Sequence, residues 1–154
     1  MLQVGTRAPD FTLEDEQGNP ATLSSFRGQA VVLIFYPGDQ TPVCTRQLCG
    51  IRDAYDEFTA AGAVVFGINP GSSLSHQKFS QKYDFQFKLL VDKERTVARS
   101  YDVLVVSLGP LAVINRAVYV VSADGTIVFA ERGTPDNETI LTAINQGKGA
   151  GTEA

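Results

Sequence analysis

The residues in this 154-residue chain best suited to chemistry are its two cysteines, Cys44 and Cys49. The stretch Tyr36-Pro37-Gly38-Asp39-Gln40-Thr41-Pro42-Val43-Cys44 follows an apolar run and opens what reads as a helix. Pro42 suits the first helical position, and Thr41 suits the capping position before it. Cys44 then falls in the first turn, where unpaired N–H groups and the positive end of the helix dipole favour an anion. A thiolate there is a nucleophile. Backbone donors and the Thr41 hydroxyl could hold an electrophile with two oxygens, such as a peroxide, and stabilise the charge that develops on the leaving one. Pro37 could shape such a pocket and shield the sulfur from water. These residue types do not by themselves single out peroxide. A lone helical cysteine is more often an inert, buried thiol. The second cysteine and the strand–Pro–Thr–Cys context tip the reading toward function.

The spacing adds a conformational condition. On a continuous helix five positions advance about 500°, leaving the side chains about 140° apart with a rise of ~7.5 Å. A disulfide needs Cα atoms within ~4.4–6.8 Å. The two sulfurs can therefore bond only if the first turn or two unwinds, a local opening that costs far less than global unfolding. A two-step cycle fits: Cys44 is oxidised to a sulfenic acid, then Cys49 condenses with it and water leaves.

Other chemistries for the pair are a thiol–disulfide oxidoreductase and a soft-metal site for an ion such as Cu(I). The first lacks a C-x-x-C pair, and the second lacks a Met-rich segment or a nearby histidine. Zinc usually wants four ligands, more than two cysteines and the lone His76 supply. A Cys–His nucleophilic pair would need His76 beside Cys44; an exposed helical position is the expectation for it instead. Asp39 and Arg46 flank the site, and a solvated loop or helix face explains them as well as a tuning role does.

The elements that must position these groups follow from the patterning. Residues 11–13 and 21–23 read as two strands around the turn 17–20, an N-terminal β-hairpin. Residues 30–36 (AVVLIFY) form a continuous apolar run suited to a central strand covered on both faces. A helix over 42–61 ends at Gly62, and 63–69 (AVVFGIN) is a second buried strand with a right-handed crossover expected. A helix over 73–83 carries Phe79 and Tyr83 on one face. A strand at 87–91 and a short helix at 94–101 follow. Residues 103–115 are apolar and read as irregular around Gly109-Pro110. Strands at 116–122 and 126–131 flank Ala123-Asp124-Gly125, and a last helix spans 137–145. The fold class expected is α/β, a thioredoxin-like layout with a mixed central sheet flanked by helices. Residues 1–146 read as one domain and 147–154 as a flexible tail.

Composition excludes several partners. Hydrophobic residues at 44% and charged ones at 19% describe an ordinary folded domain rather than a disordered one. The net charge of −4, with no basic run, argues against a nucleic-acid partner. No run of ~18 apolar residues could span a membrane. The opening residues carry Arg7, Pro9 and Asp10 and lack the apolar core of a secretory signal, so a cytoplasmic setting is expected.

The segment YPGDQTPVCTRQLCGIRD resembles the active-site segment of the peroxiredoxins, in particular the bacterioferritin-comigratory or peroxiredoxin Q group. Pro37, Thr41 and Cys44 match the family's Pro-x-x-x-Thr-x-x-Cys motif, and Cys49 matches the resolving cysteine five residues on. GTRAPDFTLEDEQG, HQKFSQKYDFQFKLLVD and NRAVYVVSADGTIVF extend the similarity along nearly the whole domain. By position, Arg116 matches the family's active-site arginine; on its own terms a strand-start guanidinium could favour the thiolate and donate to a peroxide oxygen, but a surface strand arginine is the commoner reading. The resemblance implies a thioredoxin-like fold, hydroperoxide substrates, no cofactor and a thioredoxin-like reductant. A monomer is expected, because both cysteines lie in one chain. Gly38, Val43 and the apolar character of 103–115 depart from the group's usual pattern.

Overall fold

The computed structural model describes residues 1–106 and 112–152. Its elements are β1 (Thr12–Asp15), β2 (Pro20–Thr22), β3 (Ala30–Phe35), α1 (Pro42–Asp53), α2 (Tyr55–Ala60), β4 (Ala63–Asn69), α3 (Ser73–Tyr83), β5 (Lys88–Val91), α4 (Thr96–Ser100), β6 (Leu104–Val106), β7 (Ala112–Ile114), β8 (Ala117–Val121), β9 (Ile127–Arg132) and α5 (Asn137–Thr152). Seven strands form one mixed sheet in the order β2-β1-β5-β4-β3-β8-β9. β3, β4 and β5 run parallel, while β8 lies antiparallel to β3 on its other side. The N-terminal hairpin of β1 and β2 joins the sheet through β5.

Strand β3 shows why the sheet is central. All six of its residues are buried, and alternate side chains enter different cores. Val31, Leu33 and Phe35 join Phe11, Leu23, Tyr101 and Tyr119 on one face. Val32 and Ile34, with Tyr36 beyond the strand end, join Cys44, Leu48, Ile51, Phe58, Phe79 and Ile144 on the other. Burying each large apolar side chain contributes about 1.5–3 kcal/mol. Helices α1, α2, α3 and α5 therefore cover one face, and α4 with the N-terminal segment covers the other. This is a thioredoxin-like arrangement.

Several boundaries differ from those the sequence suggests. The single helix expected over 42–61 is broken at Ala54, which sits at φ −105° and ψ 13°. Its N–H is shared between the carbonyls of Gly50 and Ile51, each at 3.2 Å, so the chain tightens there without a proline or glycine to announce it. Helix α4 starts later than expected because Arg95 adopts a left-handed φ of 57°. Residues 103–115 are not wholly irregular: β6 and β7 pair antiparallel, with Val105 opposite Val113. Residues 107–111, including Gly109-Pro110, lie outside the described residues. The last helix runs past 145 to Thr152, so 147–152 of the expected tail is helical. Gly147 permits its close approach to β9, since a Cβ there would meet Val128 Cγ2 at 3.2 Å.

Candidate active site

Register brings the site together. Phe35 at the end of β3 pairs with Ala117 at the start of β8, so Arg116 comes level with the turn that follows β3. That turn leads straight into α1, whose first turn carries Cys44. The Arg116 Nη2–H donates to the Cys44 sulfur at 3.6 Å. Cys44 is fully buried among the apolar residues of its face, whereas Cys49 is half-buried. Both thiols are free, and α1 is continuous between them. The separation across five helical residues, about 7.5 Å of rise, keeps them apart until the helix opens.

Thr41 occupies the cap position with an extended backbone, and its carbonyl accepts the first helical bond from Thr45 N at 2.8 Å. Its hydroxyl does not cap the helix. It donates instead to the Gly38 carbonyl at 3.0 Å, which leaves its lone pairs free to accept. With its proton on Gly38, the hydroxyl faces any substrate as an acceptor. Pro42 has no N–H, so Val43 and Cys44 carry the N–H groups of this first turn that have no partner within the helix. Among the described residues, the buried Nε–H of Arg116 also has no partner. Pro37, next along the chain from Tyr36, is half-buried at the start of the same turn.

Behind the site lies a polar cluster. The Asp39 side chain is only 4% exposed. Its Oδ1 accepts from Tyr36 OH at 2.7 Å and Asn69 Nδ2 at 3.1 Å; its Oδ2 accepts from Ser75 Oγ at 2.7 Å. The fourth contact is His76 Nδ1, 2.6 Å from Oδ2, and the other ring nitrogen, Nε2, lies 2.9 Å from the Leu90 carbonyl. A carbonyl only accepts, and so does an ionised carboxylate. With Asp39 ionised, both ring nitrogens donate, and the contact is a buried, fully hydrogen-bonded ion pair. Burial alone would raise the Asp39 carboxyl, but the hydrogen bond and charge of His76, with the bonds from Tyr36 and Ser75, hold it below its ordinary 3.8. Burial, then the Asp39 charge, pushes the Tyr36 phenol well above its ordinary value, so it acts here only as a donor.

These contacts correct the expectations for two residues. His76 is completely buried rather than exposed, and its nitrogens face Asp39 and Leu90, not the thiol. Asp39 is enclosed rather than solvated. Arg46 is exposed, as a solvated helix face would have it.

The profile of the AhpC/TSA family matches residues 4–130, which is most of the chain. The chain belongs to this family. Its relatives place it with the peroxiredoxins of the Q and Bcp group. Peroxiredoxin Bcp of Bacillus subtilis is 35% identical over 146 residues, covering 93% of each chain. The chloroplastic peroxiredoxin Q of Sedum lineare is 43% identical over 123 residues, covering 80% of this chain and 65% of that protein. The chain spans about three fifths of the length of such chloroplastic relatives. Among solved structures, peroxidoxin BcpB of Mycobacterium tuberculosis superimposes with a TM-score of 0.88 at 29% identity, over 95% of this chain and 98% of that one. The bacterioferritin comigratory protein of Xanthomonas campestris, whose structures concern alkyl peroxide reduction, gives 0.83 at 28% identity, over 95% and 97%.

In this chain, then, the residues singled out by motif do gather at one end of the sheet: Cys44, Thr41, Pro37 and Arg116 around the turn after β3, and Cys49 further along α1. Sequence reasoning missed the Asp39–His76 cluster. The signal that could have found it is weak, an acidic residue in the motif and one histidine 37 positions on, and only the fold brings them together. Among the described residues no helix is long and apolar enough to cross a membrane.

Proposed function

We propose that this chain is a thiol-dependent peroxidase of the atypical two-cysteine type. The observation that carries the reading is the Arg116 guanidinium 3.6 Å from a Cys44 sulfur seated in the first turn of α1. The guanidinium and the helix N-terminus together favour the thiolate. A hydroperoxide donates its O–H to Thr41 Oγ1, while the N–H groups of Arg116, Val43 and Cys44 face its oxygens. The sulfur attacks the terminal oxygen, the O–O bond breaks, and an S–O bond forms as sulfur is oxidised by two electrons. The leaving alkoxide or hydroxide, stabilised by the preorganised donors, takes up a proton and departs as alcohol or water. Pro37 walls the turn and limits water at the sulfur.

The second step joins Cys49 to the Cys44 sulfenic acid. The thiol sulfur displaces hydroxide, an S–S bond forms and one water leaves. Reduction by a dithiol of the thioredoxin type returns both thiols and leaves the reductant as a disulfide. Hydrogen peroxide and organic hydroperoxides are the substrates in this reading, with no cofactor. The chain works in the cytoplasm as a monomer, as one domain that takes in the whole of α5.

The test is a thiol count after one equivalent of hydrogen peroxide, in wild type and in Cys49→Ser. Loss of two thiols in wild type, with a trappable sulfenic acid in the variant, is the expected result. Retention of both thiols, with insulin reduced in the absence of peroxide, would replace the peroxidase by a thiol–disulfide oxidoreductase.

A further inference from the structure

The segment that must open for Cys44 to reach Cys49 is pinned at both ends. Downstream, the Arg52 Nη1–H donates to the Tyr83 carbonyl at 2.8 Å, tying the last turns of α1 to the end of α3. Leu48 and Ile51 are buried beside it. Upstream, the Asp39 carboxylate takes four hydrogen bonds, from the end of β3 (Tyr36), the end of β4 (Asn69) and the start of α3 (Ser75 and His76). His76 is itself fixed to β5 through the Leu90 carbonyl. The loop that delivers the cysteine is thus fastened to three elements through one side chain. Gly71 belongs to the same assembly: its N–H donates to Asn69 Oδ1 at 2.7 Å, and a Cβ there would lie 3.2 Å from Asp39 Oδ2.

Between the two pins lies a backbone under strain. Gln40, the residue after Asp39, sits at φ 60°, a left-handed conformation that non-glycine residues seldom hold without support. Asp39 supplies that support on one side and the helix start at Pro42 on the other. Freeing Asp39 would let Gln40 relax, and the first turn of α1 would unwind more readily.

We propose that Asp39, fastened by buried His76, is the positioning residue that sets how easily the active-site helix opens, and so how long the Cys44 sulfenic acid lasts before Cys49 captures it. The proposal rests on the peroxidase cycle set out above. Neither residue touches the reacting atoms. The pair holds Cys44 in the folded arrangement that meets peroxide, and it slows the opening that ends the sulfenic state. A longer-lived sulfenic acid meets a second peroxide more often: its sulfur attacks the O–O bond, gains a second oxygen to become sulfinic acid, and releases alcohol or water.

The experiment compares wild type with Asp39→Asn, His76→Gln and the milder Ser75→Ala, which removes one of the four donors and keeps the ion pair. Reduced protein is mixed with peroxide in a quenched-flow device, and mass spectrometry follows thiol, sulfenic acid, disulfide and sulfinic acid. The disulfide-closing step should quicken by about fivefold for each hydrogen bond lost. The sulfinic fraction at high peroxide should fall in parallel, and Cys44 oxidation should slow. A merely structural role would lower the melting temperature without raising the closing rate. Closure unchanged or slower in Ser75→Ala and in whichever other variants fold overturns the latch. Wild type that forms sulfenic acid and disulfide under those conditions leaves the peroxidase standing without it; wild type that forms neither overturns both.

Discussion

The guanidinium at Cys44 supplies one charge and a planar set of N–H donors, one of which reaches the buried sulfur. Lysine could supply the charge but not the planar set of donors, so the two substitutions separate those roles. Arg116→Met should slow oxidation of Cys44 by peroxide by about 10²–10³-fold, the range for loss of a preorganised donor to a developing oxyanion. Arg116→Lys should recover part of that loss. Reduction of the Cys44–Cys49 disulfide by a small dithiol should change far less, because no oxygen leaves in that step. Rapid-quench alkylation measures the first rate, and thiol release measures the second. Most of the residues involved were legible, since Cys44, Thr41 and Pro37 form a contiguous motif and Cys49 lies within the same helix. Arg116 was legible only through resemblance: 72 positions separate it from Cys44, and strand pairing alone unites them. The burial of Asp39 and His76 was not legible. An aspartate in a loop and a histidine on a weakly amphipathic helix both look solvent-facing until β4, β5 and α3 are placed around them.

At the scale of elements, patterning found the buried strands and the helices between them because their apolar runs are continuous or periodic. It failed where a backbone detail decides, as at Ala54 with its shared hydrogen bond and Arg95 with its positive φ. The β6–β7 ribbon escaped because two three-residue strands carry too little pattern to stand out from an apolar stretch. A contact between elements also limits the site. Gly67 in β4 lies beneath Tyr36 and Leu89: a Cβ there would come within 2.8 Å of Leu89 Cδ2 and 3.1 Å of Tyr36 Cε1. Both neighbours are wholly buried, so neither can swing into solvent. Gly67→Ala should therefore destabilise the fold by about 1–3 kcal/mol through overpacking. It should also disturb the Tyr36 OH bond to Asp39, 2.7 Å long. Thermal unfolding reads the first effect. Unchanged stability would mean that the sheet can shift locally without strain.

For the molecule as a whole, the site sits where two packed faces and three parallel strands end, so stability and chemistry share groups. Asp39 is the clearest case. Its carboxyl is held below 3.8 in the folded state, chiefly by His76 against the opposing effect of burial. A depressed carboxyl stabilises the folded state fully above the unfolded value and loses that contribution as pH falls through the folded one. The wild-type protein should therefore weaken below about pH 4, as protonation of Asp39 leaves buried His76 facing a neutral acid. In Asp39→Asn this contribution is missing at every pH. At neutral pH the variant should be less stable by about 3 kcal/mol, the scale for breaking a buried pair from one side. The gap between the two proteins should then narrow as pH falls through the depressed range. Asp10, Asp102, Asp124 and Asp136, also lowered, lie on the surface and titrate alike in both proteins, so they cancel in the difference. Urea midpoints from pH 6 down to pH 3 measure that difference. A gap constant across the range would mean that the Asp39 charge contributes nothing to folding, and that only its shape holds the loop.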